Sequence, residues 1–135
     1  MGSMRTMEFG WDGDGGVGEM LVRQIIDGSK TATCAFSVTY SDEELAEAMT
    51  GAGELYAVLD NDGKRRATIK VTDVFLCSFG DPDPRLVAGE GDGDDTAKFR
   101  DDHRIAWAAT VPGIELTDDQ LLVVEIFELA EEARP

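Results

Sequence analysis

A chain of 135 residues is long enough to bury a core without disulfides and short enough to form one domain. Its 28 acidic residues against 12 Lys and Arg leave a formal charge of −16, a field that disfavours a long RNA or DNA ligand relative to a small neutral one. The hydrophobic share of 42% argues against wholesale disorder, and no apolar run approaches the ~18 residues of a membrane helix.

Nothing resembles a signal peptide, so cytoplasmic residence is expected. Residues 1–7 read as a disordered or vector-derived tail, 8–130 as the domain and 131–135 as a frayed C-terminal tail. Cys34 and Cys77 lack CxxC spacing and sit in apolar surroundings, which suits free thiols in a reducing compartment. One histidine and two scattered cysteines fall short of a zinc ligand set, so neither a metal nor another cofactor is expected.

In chain order, Phe9 to Gly18 is a glycine-rich acidic loop. Asp12-Gly13-Asp14-Gly15-Gly16 invites comparison with a calcium loop, but Val17 occupies the position of the required glycine and Arg23 that of the closing glutamate. Val17, Met20, Leu21 and Ile25 then fall at helical spacing, and Gly28 supplies a left-handed stop. Gly28-Ser29-Lys30-Thr31-Ala32-Thr33 follows at the junction of this helix with a strand predicted over Thr33 to Tyr40. A phosphate loop is excluded, because the helix precedes the string instead of following it.

Ser41 and Glu44 have the spacing of a capping box that starts a short helix. Glu54 to Asp60 and Arg66 to Val71 flank Asn61-Asp62-Gly63-Lys64, a hairpin signal because Gly tolerates the positive φ of the turn. Lys64-Arg65-Arg66 at its tip reads as a solvated turn. Val74 to Phe79 continues the sheet until Pro82 and Pro84 break it. An acidic loop from Glu90 to Asp95 leads into a helix from about Thr96 to Ala109, with Phe99, His103, Ala106 and Trp107 on one face. Leu121 to Leu129 is a last strand, apolar on both faces except for Glu125 and Glu128. No internal repeat is present.

These segments resemble the ASCH family, a branch of the PUA-like β-barrels. The matching residues are Phe9-Gly10, Gly28-Ser29-Lys30-Thr31-Ala32-Thr33, Ala57 to Gly63, Ile69 to Val74, Ala88 to Gly93, and Phe99-Arg100 followed by His103. The resemblance implies an α+β fold, a PUA-like small mixed barrel of five to six strands with two main helices. It also implies a pocket at the barrel mouth, with roles proposed in RNA binding or processing. Some members that resemble this chain in the Gly-x-Lys-x-x-Thr motif remove acyl groups from the amine of cytidine-type nucleosides. Carried over residue by residue, this assigns Lys30, Thr33 and Glu90 as catalytic. The chain departs from the family at Ala35, where Arg is frequent, and at Phe99, where Trp is frequent.

The chemistry of those residue types is consistent with the assignment. A Thr hydroxyl needs a base to take its proton, which Lys30 provides only when neutral. Glu90 would hold Lys30 in place or shuttle a proton to the leaving amine, and junction backbone amides would stabilise an oxyanion. A Lys30–Glu90 ion pair would instead make a binding clamp, or brace the first helix against the barrel. Substrate contacts are expected from Ser29 and Thr31 beside Lys30, from Trp11 as a lid or stacking platform, and from Arg100 and His103 on the second helix. His103 also fits a hydrogen-bonded core histidine, and Trp11 a packing role. Three functions follow: an amidohydrolase of acylated nucleosides, a non-catalytic RNA- or nucleotide-binding module, and a metal-independent ribonuclease. The acidic balance favours a small nucleoside-like partner.

Overall fold

The computed structural model describes residues 4–10 and 13–132. Five strands form one sheet: β1 (Arg5–Glu8), β2 (Ala32–Phe36), β3 (Leu55–Leu59), β4 (Arg65–Ser78) and β5 (Leu121–Glu132). Their order is β1-β3-β4-β5-β2; β1 runs parallel to β3, and the other neighbours are antiparallel. Four helices accompany the sheet: α1 (Val17–Asp27), α2 (Asp42–Ala48), α3 (Pro84–Val87) and α4 (Thr96–Thr110). Among the described residues no helix is long and apolar enough to cross a membrane.

The sheet curls because its longest strand is kinked. Register shifts between Thr68 and Ile69 and between Val71 and Asp73 interrupt the β4–β5 ladder, and such bulges bend and twist a strand. The result is a half-barrel, an α+β fold of the PUA-like kind that the family resemblance implies. β1 and β2 lie at opposite ends of the strand order and do not pair with each other. Residues of both nevertheless line one cavity, so the half-barrel leaves its opening between these two edges.

Two apolar clusters hold the sheet. One joins α1 to it through Val22, Ile25, Val58, Ile69, Val71 and Phe127. The other packs α3 and α4 against Ala32, Phe36, Leu122 and Val124 through Leu86, Val87, Phe99 and Trp107. Each such side chain, fully buried, contributes roughly 1.5–3 kcal/mol. Trp107 also donates its indole N–H to Ile114 O at 2.7 Å, which satisfies the polar end of a buried ring.

Local signals explain most element boundaries. Ser41 and Glu44 form the expected capping box at α2. Asp95 accepts from Lys98 N at the start of α4, and Pro112 lies just beyond its end. Gly28 adopts φ 87° and closes α1, its N–H donating to Ile25 O. Four expectations need correction, the first being the C-terminal tail: Glu131 and Glu132 are the last residues of β5 and pair with Thr68 and Ala67. Residues 5–7 are not a tail, because Arg5–Glu8 pairs with Tyr56–Leu59 as an edge strand. The strand after Gly28 ends at Phe36, where Ser37–Thr39 turns as a 3-10 helix. Met20 faces solvent, since the buried side of α1 runs through Gly18, Val22 and Ile25.

Candidate active site

The junction after α1 is fully hydrogen-bonded. Ser29 N donates to Asp27 Oδ1, Lys30 N to Gln24 O and Thr31 N to Gly89 O, while Thr31 O accepts from Phe127 N. The expectation that these amides stabilise an oxyanion is therefore wrong: Ser29, Lys30 and Thr31 have already spent their N–H groups on the scaffold. Ser29 and Thr31 also leave the cavity. Their side chains are exposed, and neither lines it.

What the junction does deliver is Lys30. Its side chain is 2% exposed, and Nζ donates to Ala32 O at 2.8 Å and to Glu90 Oε1 at 3.0 Å. Nζ also lies 5.9 Å from the centre of the Phe9 ring, at the outer limit of a cation–π contact. Glu90 reaches it from the π-helical turn Ala88–Asp92, whose approach depends on the residue before it. Gly89 packs so closely on Ala32 that a Cβ there would collide with the Ala32 methyl. A glycine is required at that contact.

His103 extends the cluster. The Phe99 carbonyl can only accept, so the 2.8 Å contact makes His103 Nδ1 the donor and turns Nε2 towards Glu90 Oε2, 3.4 Å away. Its ring stacks on buried Phe99, with centroids 4.1 Å apart. Glu90 thus bridges Lys30 and His103 with its two oxygens. Cys34 completes the group: its Sγ, a Glu90 oxygen and a His103 nitrogen lie within 4.8 Å of one another. Among the described residues these three are the group that can offer metal-ligand atoms together, a gathering the sequence spacing does not reveal. Burial, and then Glu90, push the Cys34 thiol well above its ordinary range, which removes it as a thiolate nucleophile.

A cavity of about 960 Å³ opens in front of this cluster. Lys30, Thr33, Glu90 and His103 all line it, so the structure brings four of the eight expected residues to one cavity. Arg100 is elsewhere: it pairs with Asp118 at 2.5 Å and lies over the Phe79 ring. Trp11 lies outside the described residues.

Thr33 faces the cavity differently from Lys30. Strand alternation puts Cys34 and Phe36 on the α4 side of β2, opposite Val124 and Leu122. Thr33 and Ala35 are on the other side, opposite Glu125 and Val123. Among the described residues no hydrogen bond reaches the Thr33 hydroxyl, and none joins it to Lys30. The far wall carries groups not singled out as site residues from the sequence. Arg5 donates to Tyr56 Oη at 3.2 Å, and Tyr40 and Glu125 complete it. Burial and the nearby Glu125 push the Tyr40 phenol up to about 12. Burial also raises the Glu125 carboxyl, with Arg5 opposing weakly. The signal for Glu125 was present as one acid on the inward positions of an apolar strand; that for Arg5 was hidden in a segment taken for a tail.

A curled five-stranded half-barrel with a charged cavity at its open edge defines a PUA-like domain. The chain belongs to the ASCH family, whose ASCH domain model matches residues 6–131. It is similar to the crystal structure of protein EF3133 from Enterococcus faecalis V583, assigned to family DUF984. That match has 25% identity and a TM-score of 0.79, and spans 100% of this chain and 86% of the other. It is also similar to the ASCH domain from Lactobacillus crispatus JV V101, with 29% identity, a TM-score of 0.76, and 96% and 81% of the two chains covered. No curated protein matches the chain.

Proposed function

We propose that the cavity binds a small nucleoside-like amide and that Thr33, Lys30 and Glu90 remove its acyl group. The carrying observation is a lysine 2% exposed, locked by Glu90, on the wall of a cavity that also receives an uncommitted Thr33 hydroxyl. Burial of an amine is costly unless its environment is built for it, and cavities with such groups are where ligands bind. Thr33 is the nucleophile. Lys30, held by Ala32 O and Glu90, presents a positive donor to the substrate carbonyl oxygen as charge develops there. With Nδ1–H given to Phe99 O, His103 can pair through Nε2 with the second oxygen of Glu90 only as the doubly protonated imidazolium. Two free thiols, Cys34 and Cys77, accord with a cytoplasmic setting.

The test is hydrolysis of N4-acetylcytidine and a panel of acylated nucleosides and simple amides. Turnover by the wild type, lost in Thr33→Ala and Lys30→Ala with the fold intact, is expected. No turnover of any panel member sinks the hydrolase. A second reading has its own observation: both Lys30 contacts use the amine as a donor, which suits a binding clamp. Saturable cytidine binding without hydrolysis selects it.

A further inference from the structure

Among the described residues no hydrogen bond joins Lys30 to Thr33, so the nucleophile still lacks a proton acceptor, and the geometry of β2 and β5 supplies one. We propose that Glu125 takes the Thr33 proton and returns it to the leaving amine. The proposal rests on the amide-hydrolysis reading above.

Four observations converge on this residue. Thr33 and Glu125 are direct partners in the antiparallel β2–β5 register. Opposed residues of such a pair project to the same face with Cβ atoms about 4.5–5.5 Å apart, close enough for a carboxylate and a hydroxyl to meet or share one water. Both side chains line the same cavity. Glu125 is 9% exposed, and among the described residues no hydrogen bond or ion pair reaches its carboxylate.

That last combination calls for explanation. Desolvating a carboxyl is costly, and this one stands on a strand whose neighbours Val123, Val124 and Phe127 are all buried and apolar, while its oxygens keep some access to the cavity. The other cavity carboxylates differ: Glu90 is tied to Lys30 and His103, Glu44 serves the α2 capping box, and Glu8 and Glu47 are exposed. Burial also makes the Glu125 carboxylate a better base than an exposed glutamate. Lys30 is relieved of that task and serves the carbonyl oxygen.

The bonds balance as follows. The Thr33 Oγ forms a bond to the amide carbonyl carbon while its proton passes to the Glu125 carboxylate. Collapse of the tetrahedral adduct breaks the carbon–nitrogen bond, and Glu125 protonates the departing amine. An acyl ester remains on Thr33. Water then adds to that ester, giving its proton to Glu125. The Thr33 oxygen leaves and recovers that proton, releasing a carboxylic acid and restoring both side chains.

Steady-state kinetics on N4-acetylcytidine test the assignment with Glu125→Gln, which keeps shape and removes basicity. Loss of a general base predicts a kcat lower by about 100-fold or more, with KM within about threefold of wild type. In Glu125→Ala, added formate restores at least about tenfold of the lost rate, since a small carboxylate can enter the vacated space. A packing role would not be rescued. Should Glu125→Gln melt below the assay temperature, Glu125→Asp is used, and a drop in kcat of about tenfold is expected from withdrawing the carboxylate by one methylene. Wild-type kcat in Glu125→Gln or Glu125→Asp, with Thr33→Ala inactive, overturns the role of Glu125 and leaves the hydrolase standing. No turnover by the wild-type protein overturns both.

Discussion

Lys30 and Glu90 meet at 3.0 Å across 60 residues of sequence, with side chains 2% and 11% exposed. Neither charge has much solvent to fall back on, so removing one partner strands the other. Glu90→Ala is expected to destabilise the fold by about 3–5 kcal/mol, the cost of leaving a buried charge unpaired. Lys30→Met should cost less, because it removes the more deeply buried charge and roughly keeps its volume, while Glu90 stays near His103. Urea denaturation gives both values. A Glu90→Ala loss below about 1 kcal/mol would show that the pair is solvated rather than structural.

The contact that presents Glu90 is testable by itself. Gly89→Ala places a methyl against Ala32, within β2 and next to the carbonyl that accepts from Thr31 N. Backbone on both sides limits relief, so an overpacking cost of roughly 1–3 kcal/mol is expected. The turn carrying Glu90 must shift outward, lengthening its reach to Lys30. Thermal melts and the acylated-nucleoside assay should therefore fall together. A variant with wild-type stability and turnover would mean that Glu90 is positioned by other contacts.

These two cases also show what a sequence can reveal. The Asp62-Gly63 hairpin, the Ser41–Glu44 box and the Gly28 stop were legible because each signal is local, set by backbone sterics and one hydrogen bond. β1 was not, because four residues with a half-exposed alternation become a strand only by pairing in parallel with β3, fifty residues away in the chain. The site divides in the same way. Lys30, Thr33 and Glu90 came from a motif resemblance, and the cavity gathers them. Arg100 failed because a helix face read from spacing alone did not reveal that Asp118 and Phe79 would claim it. Glu125 was visible as an anomaly in an apolar strand, but its opposition to Thr33 depends on the β2–β5 register, which no local pattern encodes.

Glu125 should also leave a mark on pH stability. The titratable groups that share its cavity are Arg5 and Glu8 from β1, Lys30, Cys34 from β2, Tyr40, Glu44 and Glu47 from α2, Tyr56 from β3, Glu90, and His103 from α4, of which Arg5 and Tyr40 interact with it. Burial dominates over Arg5 and raises its folded-state titration above the ordinary carboxyl value. A group raised in this way favours the folded state most when protonated. Its contribution is complete below the ordinary value of 4.5 and is lost as pH rises through the elevated one. Gln is neutral throughout. Glu125→Gln should therefore melt higher than wild type at pH 8 and close to it at pH 4. A melting difference that does not change between the two would place the carboxyl in solvent.

The charge distribution makes a last prediction about RNA. The basic cluster of the hairpin tip is largely engaged: Arg66 is held by Glu19 at 2.5 and 2.9 Å and by Asp60 at 3.3 Å, and Arg65 reaches Thr68. At the cavity, Arg5 is bound to Tyr56, Thr50 and the Glu47 carbonyl, and the same walls carry Glu8, Glu44, Glu47, Glu90 and Glu125. Affinity for a polyphosphate comes mainly from releasing counterions, and each contact contributes to the salt slope. With −16 on the chain and its clustered arginines committed, fluorescence anisotropy with labelled single-stranded RNA should show no binding tighter than about 10⁻⁵ M near 0.1 M salt. Nucleosides, lacking phosphate, should meet no such barrier at the cavity. Micromolar RNA affinity that weakens steeply with salt would overturn this, and would require a basic surface assembled by more than one chain.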